Sequence, residues 1–213
     1  MVVVWFKRDL RLEDHEPLTR ALASGEKVLL LYSFESFWTQ DPHYSDLHID
    51  FIQEGLEEIQ LKLKEYDTKI LILSDYIPEI LKKIHSKEPI KALYSHMEAG
   101  MDITYTRDKA VKKWCTQNSI HWHEFAQNGL WRALKNRQKW RDHWISQMKA
   151  PIHIPSFLPT TYYTASEIDG LSAALKLVPL ELNITHKKGI QIGGSLNGWK
   201  YLHSFMTKRI SGY

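Results

Sequence analysis

Seven charged side chains crowd into ten positions directly after the apolar run VVVWF: Lys7, Arg8, Asp9, Arg11, Glu13, Asp14 and Glu16. Two other apolar runs also end in loops that carry acids and large side chains, ESFW at 35–38 and HMEAG at 96–100. If the three loops lie on one side of a parallel sheet, Arg8, Asp9, Arg11, Phe34, Glu35, Phe37, Met97 and Glu98 are brought around one crevice. Aromatic walls with a few charges suit a flat heteroaromatic ligand. The same charges also suit an internal ion-pair network, Arg8 or Arg11 with Asp9, Asp14 or Glu98, and the sequence leaves both readings open.

The remaining chemistry-bearing residues argue mostly for exclusion. No G-x-G-x-x-G follows the first apolar run and no G-x-x-x-x-G-K-[ST] occurs, so dinucleotide and P-loop chemistry lose their main support. GIQIGG at 189–194 follows no convincing strand and reads as a flexible turn, not a phosphate cradle. His121 and His123 alternate on one strand face, yet no third ligand stands at a recognisable spacing, and no metal is expected. Cys115 beside Trp114 reads as a small buried hydrophobe. Arg132, Lys135, Arg137, Lys139, Arg141 and Lys149 interleave with Trp131, Trp140 and Trp144 in the manner of a nucleic-acid surface. Because Trp140, Trp144 and Met148 fall on one helical stripe, packing against the sheet is the preferred reading, with the cations on the solvated face.

The elements that must position these residues follow from periodicity. Short apolar runs at 2–6, 27–34, 69–74, 90–96 and 121–125 read as strands, and helical patterns at 48–65 and 103–117 lie between them. In the first helix Phe51, Leu56, Ile59 and Leu63 recur at three to five residues, with acids early and lysines late. Strands of nearly continuous Val, Ile and Leu separated by helices predict an α/β fold, a doubly wound, five-stranded, mainly parallel Rossmann-like sheet with helices on both faces. The expected organisation is an α/β domain over 1–130, a basic amphipathic helix over 131–150 packed on it, a connector over 151–194, and the start of another helical unit over 195–213. In that last segment Trp199, Leu202 and Phe205 form a stripe that ends without a partner, which suggests a truncated chain.

With 213 residues, 43% of them hydrophobic, the chain is long enough for one substantial core. A net charge of +3 gives no case for a polyelectrolyte binder. The single cysteine excludes an internal disulfide framework and a cysteine-based zinc site, and fits a reducing compartment. No apolar run approaches the roughly 18 residues of a membrane helix, and Met1 leads into VVVWF without a basic leader, so a cytoplasmic, membrane-free monomer is expected. Eight Trp and ten Tyr favour core filling, large interfaces or flat ligands.

WFKRDLRLEDHEPL resembles the opening signature of photolyases and cryptochromes. The resemblance continues in order through LHIDFIQEGLEEIQLKL, YSHMEAG, YTRDKAVKKWCTQNSIHWHEF, QNGLWRALKNRQKWRDHWISQM and GGSLNGWKYLHSFMTKRISGY, sparing only 151–188. It implies an N-terminal light-harvesting domain that binds an antenna chromophore of deazaflavin, flavin or folate type. A helical C-terminal domain, whose entry resembles 193–213, would hold FAD. The whole protein would then be a DNA photolyase, a lyase that uses light to split pyrimidine dimers in damaged DNA. These 213 residues alone would have no catalytic residues, no repair activity and only the small-molecule chromophore as partner. The resemblance carries over Arg8, Asp9, Arg11, Phe34, Glu35, Phe37, Met97 and Glu98 as chromophore-pocket positions. Two departures stand out: His15 where the family commonly has Asn, and Met97 before Glu98 where many members have paired acids. Met97 would soften that wall and favour a flavin-like or deazaflavin-like ring. A cryptochrome-type photoreceptor and a stand-alone nucleotide-binding module are the next readings in order.

Overall fold

The computed structural model describes residues 1–129, 132, 136–184 and 190–212. Along the chain run β1 (Val2–Trp5), α1 (Glu16–Leu22), β2 (Val28–Ser33), α2 (Ser36–Thr39), α3 (Asp46–Leu63), β3 (Ile70–Leu73) and α4 (Ile77–Lys87). There follow β4 (Ala92–His96), α5 (Asp102–Gln117), β5 (His121–Phe125), α6 (Trp140–Met148), α7 (Ala165–Ala174) and α8 (Ser195–Ser204). All five expected strands form, and all pair in parallel in the order β3-β2-β1-β4-β5. β1 is therefore central, with Val2 beside Val28 on one edge and beside Ala92 on the other. A strand paired on both edges and covered on both faces has no solvated side, which is why VVVW contains no alternating polar residue.

Each sheet face buries a separate cluster. Val3, Trp5, Leu29, Leu31 and Leu93 meet α4, α5 and α7 through Ile80, Ile84, Val111, Trp114 and Ile168. Val4, Phe6, Leu30 and Ile72 meet α1 and α3 on the other face through Leu18, Leu22, Leu56 and Ile59. Truncating one of these fully buried leucines to alanine costs roughly 2–5 kcal/mol, because the cavity left behind collapses only in part. Cys115 lies in the first cluster, 2% exposed, and burial pushes its thiol up to about 12, as expected of an inert small hydrophobe.

Two segments depart from the sequence expectation. Residues 162–180 are part of the α/β core, not a loose connector. Tyr163 donates its N–H to the Val28 carbonyl at 3.0 Å, and Leu180 does the same to Ile72 at 2.8 Å. Between them α7 starts on a capping box in which Thr164 and Glu167 satisfy each other's backbone amides. Conversely, α6 buries none of its residues, and Trp140, Trp144 and Met148 are 40, 43 and 49% exposed. The stripe does not join either sheet-face cluster, because α4, α5 and α7 already cover one face and α1 and α3 the other; the Trp144 ring packs instead against the Gly129 backbone beyond β5. The Trp199 and Leu202 stripe of α8 is likewise exposed.

Candidate functional site

A cavity of about 600 Å³ opens at the carboxyl ends of β1 and β2. Its floor is the strand-one loop from Trp5 to Arg11, its roof the first turns of α3, and one rim is formed by 190–195. One wall is apolar, with Leu10, Tyr32, Leu47, Phe51 and Ile52 facing inward. Opposite lies a buried charge network centred on Arg107 of α5, which is 5% exposed. Its guanidinium donates to Glu35 Oε2 at 2.7 Å, Glu98 Oε2 at 2.5 Å and Asp108 Oδ1 at 2.9 Å. Asp108 also accepts from Lys7 Nζ at 3.0 Å, and Glu98 from Arg8 Nε at 2.9 Å. Arg8 reaches further, to the Tyr44 hydroxyl at 3.0 Å.

Three cations thus face three carboxylates, and each offsets its neighbours' desolvation. Burial works against the charge on Arg107, yet Glu35, Asp108 and Glu98 raise its pKa. Burial pushes the Glu35 carboxyl up, with Arg107 opposing, and burial also lowers the Lys7 ammonium despite Asp108. Lys7 Nζ and the Arg107 guanidinium lie 4.2 and 4.6 Å from the centre of the Trp5 ring. Cations over an indole face are attracted by its quadrupole, so Trp5 joins the network to the core.

Beneath the cavity Asp9, His15 and His96 form a closed cluster, each at most 3% exposed. Asp9 Oδ1 accepts from the Lys7 amide at 2.7 Å, while His96 Nδ1 and His15 Nε2 lie 2.6 and 2.8 Å from Oδ2. The three side chains are close enough to suggest a metal centre. The His15 tautomer argues against one: Nδ1 accepts the Leu18 amide at 3.1 Å, leaving the ring proton on Nε2, where a metal would have to bind. The cluster instead caps α1 and pins the strand-one loop. Burial disfavours the Asp9 charge, but His15 and His96 hold its carboxyl well below the usual range. Burial lowers His15 in spite of Asp9.

The rim at 190–195 is held by α3. Gly193 donates its amide to Glu54 Oε2 at 2.6 Å, and Leu196 donates to Glu58 Oε2 at 3.1 Å. A Cβ on Gly193 would strike the Phe51 carbonyl, and Gly194 takes φ +93° against Glu58. The expected flexible turn is therefore an anchored one. The Gly193 amide already serves a carboxylate and the Ile192 amide the Tyr201 hydroxyl, at 2.9 Å; residue 189 of this motif lies outside the described residues.

A DNA photolyase family model matches residues 2–142. The chain belongs to the DNA photolyase family. It is 29% identical over 117 residues to a cryptochrome DASH of Synechocystis sp., a match covering 53% of this chain and 24% of that protein. A deoxyribodipyrimidine photo-lyase of Vibrio cholerae is 38% identical over 63 residues, 30% of this chain and 13% of that one. Among solved structures, an archaeal photolyase from Sulfolobus tokodaii with two FAD molecules superposes with TM-score 0.67 at 18% identity, over 95% of this chain and 46% of that chain. A class III photolyase from Agrobacterium tumefaciens gives 0.69 at 17% identity, over 96% and 44%. The chain thus spans under half the length of these solved relatives and about a quarter of the Synechocystis cryptochrome. The doubly wound α/β fold is shared with both solved structures.

Within this photolyase-family fold the expected pocket residues divide. Arg8, Arg11, Glu35 and Glu98 line the cavity. Asp9 lies beneath it in the histidine cluster, and Phe34 is buried in the core, edge-on to Tyr32 at 5.0 Å. Phe37 packs edge-on against Tyr76 at 6.3 Å, outside the lining. Met97 also stays off the wall, its amide bonded to the Phe125 carbonyl at 2.7 Å, so it does not soften the pocket as expected. Of the expected ion pairs Arg8 with Glu98 forms, whereas Arg11 donates to the Asp14 carbonyl at 2.9 and 3.1 Å. His15 does not line the cavity either; it caps with one nitrogen, a task an Asn side chain also performs, and faces Asp9 with the other.

Sequence reasoning missed Arg107, Tyr44, His48 and the 190–195 rim. Phe51, one of the recurring apolar positions of α3, is 48% exposed and lines the cavity. The one available signal was Arg107-Asp108, an Arg-Asp pair on a helix whose other cations are lysines. His121 and His123 sit with ring centroids 4.1 Å apart, and His123 stacks on Tyr94 at 4.6 Å. That is an aromatic ladder along the sheet edge.

Proposed function

We propose that this chain is the light-harvesting domain of a photolyase-family protein and that its cavity binds a flat antenna chromophore of flavin, deazaflavin or folate type. The observation that carries the reading is the cavity itself: about 600 Å³ at the carboxyl ends of the central strands, apolar on one side and polar on the other. That volume lies in the usual range for ligands with fused rings. The place is where open α/β sheets bind ligands. Leu10, Tyr32 and Phe51 would cover the ring faces, while Glu35 and Glu98 would accept from ring N–H groups. Arg8 and Arg11 at the mouth, the former 49% exposed, would meet a phosphate or carboxylate tail. The bound ring would supply absorption of near-UV or blue light; the chain's part is to hold it rigid and dry.

In the whole protein the excitation would pass to FAD in a helical domain entered at about 195, and a pyrimidine dimer in DNA would be split. Cryptochrome-type signalling is the second reading, favoured by the cryptochrome DASH of Synechocystis sp. among the relatives. Among the described residues no helix is long and apolar enough to cross a membrane; a cytoplasmic monomer fits this reading. The test is to titrate the purified chain with FMN, an 8-hydroxy-5-deazaflavin and methenyltetrahydrofolate, following absorbance and ligand fluorescence. Saturable micromolar binding of one of them, weakened tenfold or more in Phe51→Ala, is expected. No binding of any of the three overturns the antenna reading.

A further inference from the structure

Trp5 is the indole of the cavity floor, and two cations are set against it. It is 2% exposed to solvent yet lines the cavity, so a ring held there would meet it. Lys7 Nζ stands 4.2 Å from the centre of the Trp5 ring and the Arg107 guanidinium 4.6 Å. Next to Trp5, 6.0 Å away between ring centres and 34° from parallel, lies the Trp122 ring of β5. Trp122 is itself fixed, donating its Nε1–H to Ser95 Oγ at 3.0 Å. Lys7 Nζ is also 5.2 Å from the centre of that second ring, so one ammonium serves both indoles. Asp108 holds Lys7 at 3.0 Å, and Glu35 and Glu98 hold Arg107. Neither cation can swing away without stranding a buried carboxylate.

Under the antenna reading, on which this inference rests, a light-absorbing ring is excited beside Trp5. An excited flavin-type ring is a strong one-electron oxidant. One electron passing from Trp5 to it would leave an indole radical cation and a one-electron-reduced ring, and the excitation would be lost as heat when the electron returned. An indole can give up that electron without first losing a proton. The Tyr32 phenol cannot do so easily, since burial, Glu98 and Glu35 keep it protonated. A neighbouring indole ordinarily favours the loss, because the positive charge can move on from Trp5 to Trp122. Two fixed cations work the other way: they attract the electron-rich face of the neutral indole and repel the positive charge of its oxidised form. In a buried site little water screens either effect. We propose that Lys7 and Arg107 shield Trp5 and Trp122 from oxidation by an excited ring in the cavity, and so preserve the excitation that an antenna must pass on.

The experiment is time-resolved fluorescence of the chain saturated with whichever of FMN, 8-hydroxy-5-deazaflavin and methenyltetrahydrofolate binds in the titration above. Lys7→Gln keeps an N–H for Asp108 but removes the charge, and the lifetime of the bound ring should fall about threefold or more. Transient absorption of that variant should show an indole radical. Lys7→Arg keeps the charge and should retain the wild-type lifetime. Lys7→Gln combined with Trp5→Phe should recover the lifetime of Trp5→Phe alone, because the quenching needs the indole; a purely structural role of Lys7 would not depend on Trp5. Trp5→Phe by itself, which leaves every charge in place, should change the lifetime little. The proposal is overturned if Lys7→Gln leaves the lifetime unchanged, or shortens it equally with and without Trp5. It is also overturned if Trp5→Phe alone lengthens the lifetime severalfold, since the indole would then quench in spite of the cations. The antenna reading survives all of these outcomes, whereas failure of all three rings to bind removes both.

Discussion

Two regions of this molecule are rich in arginine and tryptophan, and they use them in opposite ways. At the strand-one cavity Arg107 is 5% exposed and touches three carboxylates, with Trp5 beneath it. At and just before α6, Arg137 and Arg141 have no carboxylate partner among the described residues, and Trp140 and Trp144 are 40 and 43% exposed, the latter packed on Gly129. Composition alone does not separate the two. The difference is whether the sheet topology delivers acids to the same place, and it teaches that a charged cluster is machinery or surface according to its long-range partners.

The contrast is broken most strongly at its buried end. Replacing Arg107→Ala strands Glu35, Glu98 and Asp108, and urea unfolding should register a loss of roughly 3–5 kcal/mol. Arg141→Ala should stay within about 0.5 kcal/mol of wild type in the same measurement. Equal effects at the two sites would remove the distinction. Next in size, Gly193→Ala forces a Cβ onto the Phe51 carbonyl and should lift the 190–195 rim from α3. A cost of roughly 1–3 kcal/mol is expected, together with weaker chromophore binding than wild type.

The smallest effect sharpens the buried side. His15 has a lowered pKa in the fold, facing Asp9, His96 and Arg11. As pH falls below the ordinary imidazole value of about 6.5, the unfolded chain takes up a proton that the folded one resists. Stability from this group is therefore complete above that pH and declines below it. The Asp9 contribution persists to lower pH, because its carboxyl is held well below the ordinary range and is protonated in the unfolded chain first. His15→Asn keeps a capping acceptor and removes the titrating ring, so its stability at pH 8 should lie within about 1 kcal/mol of wild type, with a flatter dependence between pH 7 and 5. An unchanged pH slope in that variant would assign the titration elsewhere.

The strands were readable because a central parallel strand is apolar at every position, and VVVWF, KVLLLYSF and KILILS are. Arg8 and Glu98 were readable for a related reason: residues just past the carboxyl ends of neighbouring parallel strands must converge. Arg107 was not, because its role depends on where a turn of α5 meets the β2 and β4 loops, 72 and 9 residues away in sequence. Phe51 and Gly193 escaped similarly. Periodicity assigns a helical residue to a stripe, but here the stripe of α3 is shared between the core and a cavity rimmed by distant chain.

The residues alone decided the sheet, its parallel sense and the side on which the cavity opens, since those follow from local apolar runs and strand-end geometry. Tertiary structure decided the rest: that Arg107 and not Arg11 anchors the charge network, that Met97 stays out of the cavity lining, that 162–180 belongs to the core, and that the tryptophans of α6 lie outside both core clusters. Each of these turns on which distant surface is already occupied, and occupancy is a property of the folded whole.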